Sequence, residues 1–164
     1  MRSLIETLFL LKFLVNFLYE KNTCVITFFY HASTCVLIIM IKIEEMDENI
    51  KLDQQLEEKD YGGPVVFINV FNAKPQDVDK VLKAWAEDAA FFKQKPGLIS
   101  TQLHRGIGES TVFVNYAIWE SVAHMKQAVS DPAFRARLAH YPDGTVSRPH
   151  LFRKVAVPGI CVEY

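Results

Sequence analysis

TVFVNYAIWES, residues 111–121, is an apolar run of β-branched and aromatic residues that closes in Glu-Ser. Thr111–Trp119 reads as a strand, and Ser121 as the cap of a helix that turns Val122, Met125 and Val129 inward. Upstream, Gly106-Ile-Gly108-Glu-Ser110 is a hairpin turn after a second strand, Leu98–Arg105. Before that strand, Val78, Val81, Leu82, Trp85, Ala89 and Phe92 recur at spacings of three and four. They form one helical stripe, opened by Pro75 and stopped at Pro96-Gly97. Val65–Phe71 (VVFINVF), after Gly62-Gly63-Pro64, is the first strand of the set. Downstream, Ala133–Ala139 resumes as a helix after Asp131-Pro132, Tyr141-Pro142-Asp143-Gly144 turns, and His150–Val157 is expected as the last strand. The order β-α-β-β-α-β predicts an α+β, ferredoxin-like domain over residues 61–164.

Helices cover one face of such a sheet, yet both parities of the first strand are apolar. Val65, Phe67 and Phe71 fall on one side, and Val66, Ile68 and Val70 on the other. A sheet apolar on both faces with helices for only one implies a second sheet, hence a homodimer.

Residues 1–60 have another character. Asn22–Ile41 runs for twenty residues without Asp, Glu, Lys or Arg, about the length of a membrane-spanning helix. Three readings fit the hydrophobic segment 1–42: a membrane helix over 22–41 tethering a cytoplasmic domain, an extension upstream of an internal start at Met40 or Met46, and a secretory signal. Arg2, Lys12 and Lys21 before it balance Lys42, Lys51 and Lys59 after it, so orientation is not set by charge. Residues 43–60 hold eight acids against Lys51 and Lys59 and read as an acidic, solvated linker.

Over the chain the net charge is −1, mean hydropathy is +0.09 and half the residues are hydrophobic. These values exclude a mainly disordered chain and show no nucleic-acid footprint. Cys24, Cys35 and Cys161 have no spacing that suggests a disulfide framework or a metal site. Gly106-Ile-Gly108 lacks the third glycine and following helix of a dinucleotide loop, and no nucleophile elbow or phosphate loop is present.

Period-two counting puts Phe113, Asn115, Ala117 and Trp119 on one face of their strand, with Tyr116 opposite. Asn69 shares a parity with Phe67 and Phe71. His104 aligns with Ser100 and Gln102, opposite Thr101, Leu103 and Arg105. A buried amide without partners costs about 1–3 kcal/mol. Two asparagines in apolar strands therefore have two readings: backbone partners at a bulge or strand end, or a polar pair that orients a small aromatic ligand. Trp119 is a core aromatic or a stacking wall, and His104 a bonded strand residue or a base.

INVF (68–71), KPG (95–97), STQLHR (100–105), FVNYAIWES (113–121), DPAFRARL (131–138) and PHLFRKVAVPG (149–159) together resemble the antibiotic biosynthesis monooxygenase (ABM) family of dimeric α/β barrels. The resemblance covers about residues 65–159. It implies an oxygenase that uses no metal or flavin, its partners being a small aromatic substrate and oxygen. A phenol, quinol or anthrone is deprotonated there, and its anion reduces oxygen through a peroxide that collapses to a quinone. On this resemblance the catalytic residues are Asn115 and Trp119 as donors and His104 as base. Asn69, Phe113, Tyr116 and Phe92 bind substrate, with Tyr116 a competing base. Haem-degrading relatives of the fold also resemble the chain, through Asn69 and Trp-Glu-Ser, with His140 near the place of their haem ligand. A non-catalytic binding barrel is the third reading.

Overall fold

The computed structural model describes residues 16–20, 23–28, 36–59 and 62–162. Eleven elements are followed here: β1 (Asn16–Glu20), β2 (Thr23–Phe28), β3 (Val36–Ile43), α1 (Leu52–Glu57), β4 (Val65–Asn72), α2 (Val78–Phe92), β5 (Leu98–Arg105), β6 (Val112–Trp119), α3 (Val122–Val129), α4 (Pro132–Arg137) and β7 (Val146–Phe152). The strand order is β1-β2-β3-β7-β4-β6-β5. Its β7-β4-β6-β5 part is antiparallel throughout, and this is the expected α+β, ferredoxin-like sheet.

Local chemistry accounts for the element ends. The Ser121 hydroxyl accepts from the His124 N–H at 3.3 Å, and the Asp131 carboxylate accepts from the Ala133 N–H at 2.8 Å, capping α3 and α4. Gly97 has φ +84°, and a Cβ there would lie 2.3 Å from the His124 ring, so this turn requires glycine.

Three expectations change. The last strand is Val146–Phe152 rather than His150–Val157. Pro149 does not block it: Ser147 and Leu151 direct their backbone bonds outward, to Glu44 and Gln55, so Pro149 between them also faces the outer edge. The membrane helix over 22–41 is not formed by the described residues, among which no helix is long and apolar enough to cross a membrane. Thr23–Phe28 and Val36–Ile43 pair as antiparallel strands, as suits their β-branched content; residues 22 and 29–35 of that expectation lie outside the described residues.

The acidic stretch is more than a solvated linker. Ile41 is buried, and Lys42 and Glu44 donate backbone bonds to Thr145 and Ser147 at 2.9 Å, which joins β3 to β7 in parallel. Leu56 of α1 is buried beside Val65 and Leu151. The Gln55 amide donates to the Leu151 carbonyl at 3.0 Å and accepts from its N–H at 2.9 Å. One side chain thus pairs the edge of β7 where β3 has left it.

The core has two apolar clusters. Val65, Ala117, Trp119, Val122, Met125, Ala128, Leu56 and Leu151 form one; Ile41, Phe71, Val78, Val81, Ala84, Phe113 and Tyr141 form the other.

Candidate active site

Between these clusters, enclosed by α2, the α3–α4 side and the sheet, is a cavity that leaves about 80 Å³ for the centres of water-sized molecules. Trp85, Asp88, Ala89 and Phe92 line it from α2, and Asn69, Thr101, Asn115, Trp119 and Ser147 from the sheet. The apolar walls include Phe67, Met125 and Phe134, and also Ile41 and Ile43 of β3.

Strand register builds the sheet wall. Asn69 of β4 stands directly opposite Asn115 of β6, which places their Cβ atoms about 5 Å apart on one face. Each amide oxygen is occupied. The Thr101 hydroxyl donates to Asn115 Oδ1 at 3.0 Å, and the Ser147 hydroxyl donates to Asn69 Oδ1 at 2.8 Å. With the oxygens held this way, each amide has its NH₂ left to donate, and neither NH₂ is paired by the bonds seen among the described residues. Trp119 is packed edge-on against Phe92, with ring centroids 5.8 Å apart, and Phe92 meets Phe134 at 4.6 Å.

The structure therefore brings Asn69, Asn115, Trp119 and Phe92 to one cavity. Phe113 is buried in the adjoining cluster and does not line it. His104 and Tyr116 are on the other face of the sheet and exposed, as partners in register of Val114 and Gln102. A base at His104 or Tyr116 would be separated from the cavity by the sheet itself. His140 lies outside the lining, its Nδ1 2.8 Å from Glu87 Oε2, and offers the cavity no haem ligand.

Asp88 was not anticipated. It is 7% exposed and is the only charged side chain in the lining described. The Tyr141 hydroxyl donates to its Oδ2 at 2.9 Å, while its buried Oδ1 has no hydrogen-bond partner among the described residues. Loss of water around the carboxylate pushes its pKa up to about 6. The Tyr141 hydrogen bond and the charges of Arg137 and His140 oppose that rise, and Glu87 adds to it. Burial, then the adjacent carboxylate, raises the Tyr141 phenol in turn, so it stays protonated. The signal was present in the sequence: Asp88 follows Trp85 by three and precedes Phe92 by four, within the apolar stripe.

The comparisons agree with this architecture. Residues 64–139 match the family model described as antibiotic biosynthesis monooxygenase. A Shewanella loihica PV-4 protein with a provisional monooxygenase designation is 33% identical, over 58% of this chain and 97% of its own, with a TM-score of 0.51. SnoaB of Streptomyces nogalater, described as a cofactor-independent oxygenase, is 24% identical over 59% of this chain and 98% of its own, with a TM-score of 0.48. A conserved Methanosarcina mazei Go1 protein, 12% identical over 57% of this chain and 95% of its own, shares the fold at a TM-score of 0.51. No curated relative matches the chain. With the expected sheet, the paired asparagines and the strand ending in Trp-Glu-Ser in place, the chain belongs to the antibiotic biosynthesis monooxygenase family.

Proposed function

We propose that the protein is a cofactor-independent monooxygenase that oxidises an electron-rich phenol, anthrone or quinol towards a quinone. Family membership supports monooxygenase-type activity in general. The observation that carries the finer reading is the Asn69–Asn115 pair, whose oxygens are held by Ser147 and Thr101 so that two N–H donors are left to serve a mainly apolar cavity.

The chemistry asks little more of the protein. Deprotonation of the substrate yields an anion whose charge is shared between oxygen and a ring carbon. The two amides, with the Trp119 indole as a third donor, stabilise that oxyanion in a site with little competing water. The carbon gives its electrons to oxygen and a carbon–peroxide bond forms. Cleavage of the peroxide O–O bond leaves one oxygen atom as the new carbonyl and releases the other as water. A CH₂ or ring C–H thus becomes C=O with one oxygen molecule consumed and one water formed.

A homodimer belongs to the same reading. The face opposite the cavity carries Ile68, Val70, Val114, Tyr116 and Ile118, as register assigns them, and no helix of the β4–β7 unit is placed to cover it.

The test is oxygen uptake by the full chain, freed of metal and flavin, with a panel of anthrones and naphthoquinols. Uptake above autoxidation is expected, with Asn115→Ala reducing kcat by about 10²-fold, the usual effect of losing one oxyanion donor. Trp119→Phe reduces it by less. No uptake across the panel removes this reading.

A further inference from the structure

A reaction that begins with deprotonation needs a proton acceptor, and the sheet wall of the cavity presents donors. The helix wall holds the complement. Asp88 lies in the lining more than nine-tenths buried, with one carboxylate oxygen held by Tyr141 and the other without a partner among the described residues. Its neighbours in the stripe, Trp85, Ala84 and Phe92, offer the carboxylate no partner, and Tyr141 bonds only one of its two oxygens. A buried charge with half its hydrogen bonds missing is costly, and such a group in a cleft marks a site.

We propose that Asp88 is the proton acceptor of the cavity, taking the hydroxyl proton of a neutral hydroxyaromatic substrate, with Tyr141 as its positioning residue. This rests on the oxygenase reading. The substrate O–H bond, in an anthrone that of its enol tautomer, breaks, its electron pair stays on the substrate oxygen, and a new O–H bond forms on the Asp88 carboxylate. Total charge does not change. The negative charge moves from the helix wall, where it is poorly solvated, to the sheet wall, where the Asn69 and Asn115 amides receive it. The same carboxylate repels substrates that arrive already ionised, so the site selects neutral phenols and anthrones over phenolates.

Four titratable or charged groups act on Asp88: Tyr141 by its hydrogen bond, Arg137 of α4, His140 in the turn that follows, and Glu87 on its own helix. Since Asp88 must be ionised to act, turnover rises with pH through a value near its own, about 6. Tyr141→Phe removes a hydrogen bond that favours the charged form, so this limb moves to higher pH. His140→Gln removes a charge that also favours the ionised form and moves the limb the same way.

Two measurements on the full chain test this. Anaerobically, 4-nitrophenol bound to the wild type is expected to show its phenolate absorption at a pH where the free probe is neutral, and Asp88→Asn to bind the probe without ionising it. Aerobically, with 1,8-dihydroxyanthrone, Asp88→Asn is expected to lose about 10²-fold or more in kcat and its rising limb, within the range of general-base contributions. The proposal is overturned by a wild type that does not ionise the probe. It is equally overturned by Asp88→Asn ionising the probe as the wild type does, or staying within threefold of wild-type kcat with the limb unchanged. If the probe ionises only when Asp88 is present but no anthrone or naphthoquinol consumes oxygen, the proton acceptor stands and the oxygenase reading falls.

Discussion

Asp88 and Asn115 line one cavity at nearly equal burial, 7% and 8% exposed, but their costs differ. Thr101 satisfies the Asn115 oxygen, while half of the Asp88 carboxylate has no partner among the described residues. Its pKa is about 6 in the fold and about 3.9 in an unfolded chain. Between these values the folded state holds the extra proton, so this group favours folding most below pH 4. That contribution is lost as pH rises through 6. The loss amounts to about 3 kcal/mol. Asp88→Asn is therefore expected to be the more stable protein at pH 7, with the difference vanishing near pH 4. Urea unfolding of both at pH 4 and pH 7 measures it, and equal stability at both values would contradict the burial of a charged Asp88. Period two alone placed Asn115 and Trp119 on one face of their strand, and Asn69 with Phe67 and Phe71 on one face of its own. Asp88 went unread because a helical stripe is traced through apolar residues, although an acid inside the stripe is the more informative departure.

Among the elements, β3 and α1 do what their composition conceals. The acids of residues 43–60 suggest a spacer, yet Ile41 and Ile43 wall the cavity and Leu56 is in the core. Isolated apolar anchors in a charged run have no periodicity to reveal them; they become visible only when β7 is beside them. Deleting residues 1–39 keeps Ile41, the Glu44 bond to Ser147 and α1. Deleting residues 1–45 removes a fully buried isoleucine and opens one cavity wall, at a cost of about 2–5 kcal/mol. Thermal unfolding of the two truncated proteins is expected to rank them in that order, with a clearly lower Tm for the second. Equal Tm values would mean that β3 contributes nothing to the core. His104 illustrates the other side of element-scale reading. Its parity was correct from counting, but a strand does not state which of its faces the helices will cover.

At the scale of the molecule, the exposed sheet face sets the expected assembly. Ile68, Val70, Val114 and Ile118 are only partly buried in the single chain, and Tyr116 is 37% exposed. A stable interface takes about 800 Å² from each partner, and a four-stranded face of this kind is suited to supply it from a second copy. The full chain is expected to sediment as a dimer, and Val114→Arg, which puts a charge at the middle of that face, as a monomer. A wild-type monomer at micromolar concentration would remove the dimer from the proposed function.

What the amino-acid order determined alone was the succession of strands and helices from Val65 to Trp119, the α+β class, and the faces within each strand, Asn69 with Phe67 and Phe71, and Asn115 with Trp119. Those features arise from neighbours a few residues apart, because side-chain direction repeats every two residues in a strand and every three to four in a helix. The tertiary structure alone decided that the helices cover the asparagine face and leave His104 outside. It also joined pairs far apart in sequence: Tyr141 to Asp88 across 53 positions, Ser147 to Asn69 across 78, and Gln55 to Leu151 across 96. Such contacts follow from the crossovers and strand order of the whole sheet, and no local pattern in the chain encodes them.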